Sequence, residues 1–544
     1  MDNISEQIRS PRGTKLICKG WQQEAALRTL MNSLDPDVAE VPGELIVYMN
    51  ARAVRTWQDY NLTVRALKSL ENDETLIIQS GKPAAVFKTF EDAPRVIMAC
   101  GFIVPEYANH ETFRELLEKG LTMHGGLTAA SWFYIGAQGI IGTTYQTLAA
   151  VAHQSFKLNS LKGKLVLTSG LGGSGRSQPL AITLNEGIGI IVEVDKSRIE
   201  RSIRSDIKFL DTWTDNLDEA LEMAQRARIR GNSLSIGLLG NAADIYPQFI
   251  KRGIVPDVVT DQTSAHDELN GYIPSGISFE EAIKLRRSDP NSYIKMSYKS
   301  LVKHVKAIND LQKMGAVAFE FGNGIRRQAQ KGGLVDAYKF PGFIDGYIRP
   351  LFCQGIGGFR YIALSGDPKD IYRIDKAIVE LFPSLEGWIK MAQQRVPFQG
   401  LPARICWLGH GERTDAGLCI NELVGKGEVK APVVLAKCLL DAGSAASPDT
   451  QTENMKDGSD VVGDWPILKG LLHVATGASW VSIISEPEIY AAGAAVVADG
   501  TEKANKRTER TLTADTGLGI TNFALAGYEL AIQTVKEKNI KTLI

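Results

Sequence analysis

The feature that most restricts this chain is the hexapeptide GLGGSG, Gly170 to Gly175, set between an apolar run and a helical one. KLVLTSG, Lys164 to Gly170, reads as a buried strand, and QPLAITLNEG beyond the loop reads as a helix. A G-x-G-x-x-G turn placed there gives each glycine a physical task. The first permits the tight turn, the second lets a pyrophosphate reach the backbone, and the third lets helix and strand pack closely. The phosphates then lie at a helix N-terminus, where unpaired N–H groups and the dipole favour anions. Glu193 closes the next apolar strand, GIGIIVEVD, about 20 residues on, where an acid takes the ribose hydroxyls and disfavours a 2′-phosphate. The loop therefore predicts a dinucleotide, NAD in preference to NADP, with dehydrogenase chemistry as the default consequence.

The alternation continues on the C-terminal side. Leu217 to Gly231 has helical spacing and a closing glycine; SLSIGLLG and PDVVTDQ read as strands separated by the helical AADIYPQFIKRG; AVAFEFG, Ala316 to Gly322, supplies another strand. Strands alternating with helices predict an α/β fold with a parallel sheet. This Rossmann-like domain is expected over 138–337. The flanks, 1–137 and 338–544, are mixed α and β without a self-sufficient βαβ series. The expected arrangement is one mixed α/β core domain built from both chain ends, with the nucleotide domain inserted. The stretch after Asp499 is largely helical and charged, and a solvated outer face is expected of it.

With 544 residues the chain exceeds what a single core usually organises. Its 61 basic and 62 acidic side chains leave a net charge of −1, with no general attraction for nucleic acid or anionic lipid. The N-terminus has no apolar run behind a basic start, and no segment approaches the roughly 18 apolar residues that cross a bilayer. A cytoplasmic protein without nucleic-acid or membrane partners is expected. Cys18, Cys100, Cys353, Cys406, Cys419 and Cys438 are scattered, with no C-x-x-C pair. They read as reduced thiols, and no metal site is expected.

Longer signatures lie elsewhere. FQGLPARICW, Phe398 to Trp407, runs into LGHGER; GLLGNAA, PDVVTDQTSAHDELNGYIPSG, FPGFIDGYIRPLFCQGIGGFRYIALSGDP and MKDGSDVVGDWP are spread over most of the chain. Together they resemble the urocanase family. That resemblance implies a hydro-lyase that adds water to an imidazole acrylate, with NAD+ serving as an electrophile, tightly bound and not consumed. It also implies a homodimer. Carried over by motif, Gly173, Ser174 and Gly175 would touch the pyrophosphate, with Glu193 and Arg198 near the adenosine ribose. Asn241, Ala242, Gln262, Thr263, Ser264, Ala265, His266, Tyr272, Ile273 and Phe321 would complete the cofactor pocket. Arg360 would bind the substrate carboxylate, a task suited to a planar bidentate cation. Cys406 would stand beside the nicotinamide, shaping or polarising its pocket or moving a proton. Asp441 would hydrogen-bond the imidazole or transfer a proton. Outside such a motif each has a plainer reading: a buried cysteine behaves as a small hydrophobe, an arginine can close an ion pair, an aspartate before Ala-Gly can start a turn, and His266 can be a satisfied loop histidine.

The chain also departs from the family. Met49 and Asn50 in VYMNARAVRTW stand where the family has glycines, Gly126 where it has glutamine, Phe321 where it has tyrosine, and Leu439 where it has histidine. WVSIISEPEIYAAGAAVVADG, from Trp480, lacks the family's glycine run ending in Ser-Gln-His-Ala-Gly. These changes fall on segments expected to wall cofactor and substrate. The expected substrate is therefore a sulfur-substituted urocanate, thiourocanate or S-methylthiourocanate, of the kind met in ergothioneine breakdown. Urocanate itself is the alternative. An NAD-dependent dehydrogenase, or a non-catalytic NAD-binding protein, represents the other classes.

Overall fold

The computed structural model describes residues 8–543, so residues 1–7 of the N-terminal stretch considered for a leader lie outside it. No described helix is long and apolar enough to cross a membrane. The chain divides into two compact units, one joining the part up to Gly139 with Pro350 onward, the other running Ile140–Arg349. This second unit extends past 337 because its packing does: Phe340 belongs to its core, and Tyr347 stacks edge-on against Phe319 at 5.3 Å.

The second unit holds a six-stranded parallel sheet, in spatial order Val317–Ala318, Val258–Val259, Leu165–Ser169, Ile188–Glu193, Leu234–Leu239, Thr212–Thr214. All residues of Ile188–Glu193 are buried, as befits a strand covered on both faces. The chain leaves Leu165–Ser169 in one direction and returns later on its other side. That strand therefore marks the topological switch point, where ligands settle outside the carboxyl ends of open α/β sheets. Helices are set by local chemistry. Asn216 caps Leu217–Arg230 by accepting from the Asp218 and Glu219 N–H groups, and Gly231 ends it in the left-handed conformation. Ser278 and Glu281 form a capping box at Phe279–Ser288.

The first unit is organised by a nine-stranded mixed sheet. Its path runs Ala403–Leu408, Gly357–Ala363, Val433–Lys437, Ile489–Ala498, Trp480–Glu486, Val96–Cys100, Glu74–Gln79, Lys82–Lys88, and Ala445–Ala446 pairs with Ile489–Ala498. Val96–Cys100 pairs in parallel with Trp480–Glu486, so both chain ends build one sheet. The helix Glu502–Leu525 presents a solvated charged face, with Glu502, Lys503, Lys506, Glu509 and Arg510 exposed, as the sequence leads one to expect. Its other side was not expected: Thr508, Leu512, Asp515, Ile520 and Phe523 are buried along it. Asp515 is met inside by Arg413, Lys437, Lys469 and His473.

Two histidines are buried as neutral rings. Burial lowers His304 from 6.5 to about 3, and lowers His473 to about 4 against the opposing bond to Asp515. Between these values and 6.5 the unfolded chain binds more protons than the folded one, so stability falls as pH drops through that window. A loss of roughly 3 kcal/mol per histidine is expected by its acid end. Asp261, which burial raises to about 7, gains stability as pH falls over the same window and offsets part of this loss. Denaturant midpoints measured from about pH 7 to pH 4 should therefore fall by less than the two histidines together would give; a midpoint that rises towards pH 4 would contradict the neutral burial of both rings.

Candidate active site

The glycine loop follows the strand Leu165–Ser169 and enters the helix Ser177–Leu184, which no side chain caps. Gly170 has φ +91°, where glycine is unstrained, and its N–H donates to the Val192 carbonyl at 2.9 Å. At Gly175 a Cβ would lie 2.3 Å from the Gly170 carbonyl oxygen, so only glycine permits this approach. Gly173 and Ser174 lie between them at the mouth of the turn. Glu193 ends the adjacent strand, and its carboxylate accepts the Leu171 N–H at 2.6 Å and the Asp195 N–H at 3.0 Å. Burial raises its pKa, with Arg198 opposing. Glu193 thus pins the loop while Arg198, half-exposed, lies 3.8 Å from it.

The other residues expected to line a cofactor pocket gather on loops at the carboxyl end of the same sheet. Asn241 caps the helix Ala242–Lys251 and donates from Nδ2 to the Ile273 carbonyl at 2.9 Å, tying Tyr272–Ile273 to it. The run Gln262–His266 is held at both ends. The Gln262 N–H donates to the Ser169 carbonyl at 3.0 Å and the Ala265 N–H to the Asn323 carbonyl at 2.8 Å. Thr263 donates from N–H and hydroxyl to Asp261, each at 2.8 Å; Ser264 and His266 share this loop, where Gln328 Nε2 donates to the His266 carbonyl at 3.0 Å. Phe321 packs against Phe319 and Phe343. Gln262 Oε1 is buried with no hydrogen-bond partner among the described residues. The uncapped helix, the close glycine approach and this orphaned acceptor fit a dinucleotide. Gly175→Ala is expected to weaken that fit at least about tenfold, since backbone atoms must give way. NAD released per purified chain would report it, and an undiminished content would contradict the assignment.

In the first unit, Arg360 lies on Gly357–Ala363 and is 5% exposed. Its Nε and Nη1 have no hydrogen-bond partner among the described residues; Nη2 donates to Cys438 Sγ at 3.7 Å. A buried guanidinium left unpaired is costly, and such a group calls for an anion. Arg360 stands opposite Ile405 and Ala436, whereas Phe359 stands opposite Cys406 and Lys437. Directly opposed residues of an antiparallel pair share a face, and successive residues alternate. Arg360 and Cys406 therefore project from opposite faces of the sheet. Cys406 is fully buried, with Sγ 3.7 Å from the Tyr361 hydroxyl. Burial, reinforced by Asp375, pushes its thiol up to about 12, so it is held as S–H.

Asp441 is not open either. Arg413 donates to both of its oxygens, at 2.6 and 3.1 Å, and the Ala442 N–H donates to one at 2.8 Å. Arg413 also reaches Asp515 at 3.2 Å; Lys437 and Lys469 lie 3.2 Å from the other Asp515 oxygen, with His473 at 3.0 Å. Burial opposes the Asp515 charge, yet the two lysines and His473 hold its carboxyl well below the usual range. Burial lowers Lys469 to about 8.

Several residues of these surroundings have no role that the motifs assign. Asp261, inside PDVVTDQTSAHDELNGYIPSG, anchors the Gln262–His266 loop. Tyr48 donates to the Gly126 carbonyl, accepts from the Thr128 hydroxyl at 3.3 Å and stacks on Tyr134 at 4.7 Å. Glu486 accepts the Gly126 N–H at 2.7 Å. Among the described residues no cluster of His, Cys, Asp and Glu could hold a metal, and all six cysteines are free.

Comparison with protein-family models finds three consecutive matches. The urocanase N-terminal domain covers residues 8–133, the urocanase Rossmann-like domain 136–347, and the urocanase C-terminal domain 350–537. With its three domains present in order, the chain belongs to the urocanase family and is a hydro-lyase of the urocanate hydratase type, acting on an imidazole acrylate.

Proposed function

We propose that this hydratase uses tightly bound NAD+ to add water to a sulfur-substituted urocanate, with Arg360 as the residue that binds the substrate carboxylate. The unpaired, buried guanidinium of Arg360 carries the assignment. A carboxylate accepting on either the Nε or the Nη1 side of the guanidinium would restore a charge-assisted hydrogen bond in a desolvated setting. When bound, NAD+ supplies an electron sink that makes an electron-rich imidazole acrylate receptive to water. The chain's own part is to hold the substrate by its carboxylate and to keep bulk water from the reacting ring. Gly173, Ser174, Gly175, Asn241 and the Gln262–His266 loop would hold the cofactor. Cys406, with its thiol protonated behind the sheet, is assigned as a positioning residue. Asp441, occupied by Arg413, is assigned to shaping its loop.

The sulfur substituent is supported by what stands at the departures from the family. Met49 has φ +56°, a left-handed backbone that glycine adopts freely and other residues adopt at about 1–2 kcal/mol. The residue is 44% exposed, and a thioether there offers a soft, polarisable contact to a sulfur substituent. Leu439 is apolar and packs over Gly493, where a Cβ would lie 3.0 Å from it. Gly126 has no room for a side chain: a Cβ would lie 2.1 Å from that of Ala51. Steady-state hydration of urocanate, thiourocanate and S-methylthiourocanate, followed at their ultraviolet bands, tests the choice. Preference for a sulfur compound, without NADH formation, is expected; efficient turnover of urocanate alone would overturn it. A homodimer, as the family resemblance implies, and a cytoplasmic location belong to the same proposal.

A further inference from the structure

We propose that Glu486 recognises the heteroaromatic ring of the substrate, accepting a hydrogen bond from a ring N–H while Arg360 holds the carboxylate at the other end. The inference rests on the imidazole-acrylate reading above and adds a second contact point to it. Glu486 ends the strand Trp480–Glu486, in the segment where the chain lacks the family's glycine run. Its side chain is half-buried rather than extended into solvent, and one carboxylate oxygen is fixed by the Gly126 N–H at 2.7 Å. A carboxylate has about four acceptor positions, so this bond orients the group without exhausting it.

Glu486 joins a connected wall. The Gly126 carbonyl takes the Tyr48 hydroxyl, Thr128 donates to Tyr48, and the Tyr48 ring stacks on Tyr134. The Tyr48 hydroxyl feels both charges: after burial, Glu486 raises its pKa and Arg360 lowers it. One unpaired cation and one oriented carboxylate thus act on the same tyrosine, beside a pair of stacked aromatic rings. The segments of this wall turn through left-handed backbone, at Met49 (φ +56°) beside Tyr48 and at the adjacent Gly126 (φ +50°) and Leu127 (φ +56°). The matching ligand is bipolar and planar. It carries a carboxylate at one end and a flat ring with N–H donors at the other, and a carboxylate partner also favours the protonated, electron-poor form of that ring.

The test compares two non-reacting probes by calorimetry on the full-length protein as purified: 3-(imidazol-4-yl)propionate, and 3-phenylpropionate, which has the carboxylate but no ring N–H. The native chain is expected to bind the imidazole compound at least about tenfold more tightly. Glu486→Gln keeps an acceptor for Gly126 and loses the charge; it is expected to erase most of that preference while leaving phenylpropionate affinity unchanged. Equal binding of both probes by the native chain, or an unchanged preference in Glu486→Gln, would overturn the assignment even if hydration of an imidazole acrylate is intact. If the native chain neither binds the imidazole probe nor hydrates any of the three acrylates, the underlying reading fails instead. Should that variant not fold, Glu486→Asp, which keeps the charge but draws it back from the ring, is expected to cut the preference, and an unchanged preference would overturn the assignment.

Discussion

Arg360→Met is expected to lower kcat/KM by about a thousandfold or more, mainly through KM, and to leave the protein as stable as before or more so. The two effects have one cause. In the folded chain the guanidinium is 5% exposed with Nε and Nη1 unpaired, so folding bears the cost of desolvating a cation that only ligand can satisfy. Methionine keeps the length and apolar stem and removes the charge. A substrate carboxylate would then be desolvated against no donor, which costs a few kcal/mol. Steady-state kinetics on the preferred acrylate, paired with thermal unfolding of the same preparation, separates this from damage to the fold. Lost activity with lowered stability would indicate an ordinary structural arginine, and unchanged kinetics would remove Arg360 from the site.

Asp515→Asn is expected to be the most damaging single change to stability, at about 3–5 kcal/mol. One buried carboxylate meets Arg413 and Lys437 at 3.2 Å, Lys469 at 3.2 Å and His473 at 3.0 Å, all at or below 1% side-chain exposure. Without its charge, three cations remain in the interior against Asp441 alone. Lys469, already lowered to about 8, would be driven further towards the neutral amine. The cost should appear as a fall in urea midpoint and in soluble yield. A midpoint shift worth less than about 1 kcal/mol would show that the cluster is not held by this aspartate.

Cys406→Ala is expected to be milder than the position of this residue in its motif suggests. The sulfur faces Tyr361 and the Asp375–Arg404 pair across the sheet from Arg360, and its thiol is pushed up to about 12. Removing it leaves a small cavity, worth about 1–2 kcal/mol, and a rate within about tenfold of the native value. A thousandfold loss measured on stable, NAD-replete protein would place the sulfur in the chemistry.

The sequence by itself determined the parts whose physics is local. Gly170 to Gly175 could be read as a nucleotide loop because a tight turn, a close phosphate approach and a helix start each demand particular residues at fixed spacing. The strands around it declared themselves as continuous apolar runs, and the family was legible in FQGLPARICW and its companion motifs. What the tertiary structure alone decided concerns direction and partnership. Whether Arg360 and Cys406 share a face depends on the register of Gly357–Ala363 against Ala403–Leu408, which no motif records. Whether Asp441 is an open acid or half of an ion pair depends on Arg413, distant in sequence and brought to it by packing. The solvated face of the helix Glu502–Leu525 was legible in its charges, whereas the burial of Asp515 on its inner side depends on opposite charges that other elements bring to meet it. Tyr48, Gly126 and Glu486 lie far apart along the chain and form one wall only through hydrogen bonds between loops, a non-local property that spacing cannot carry.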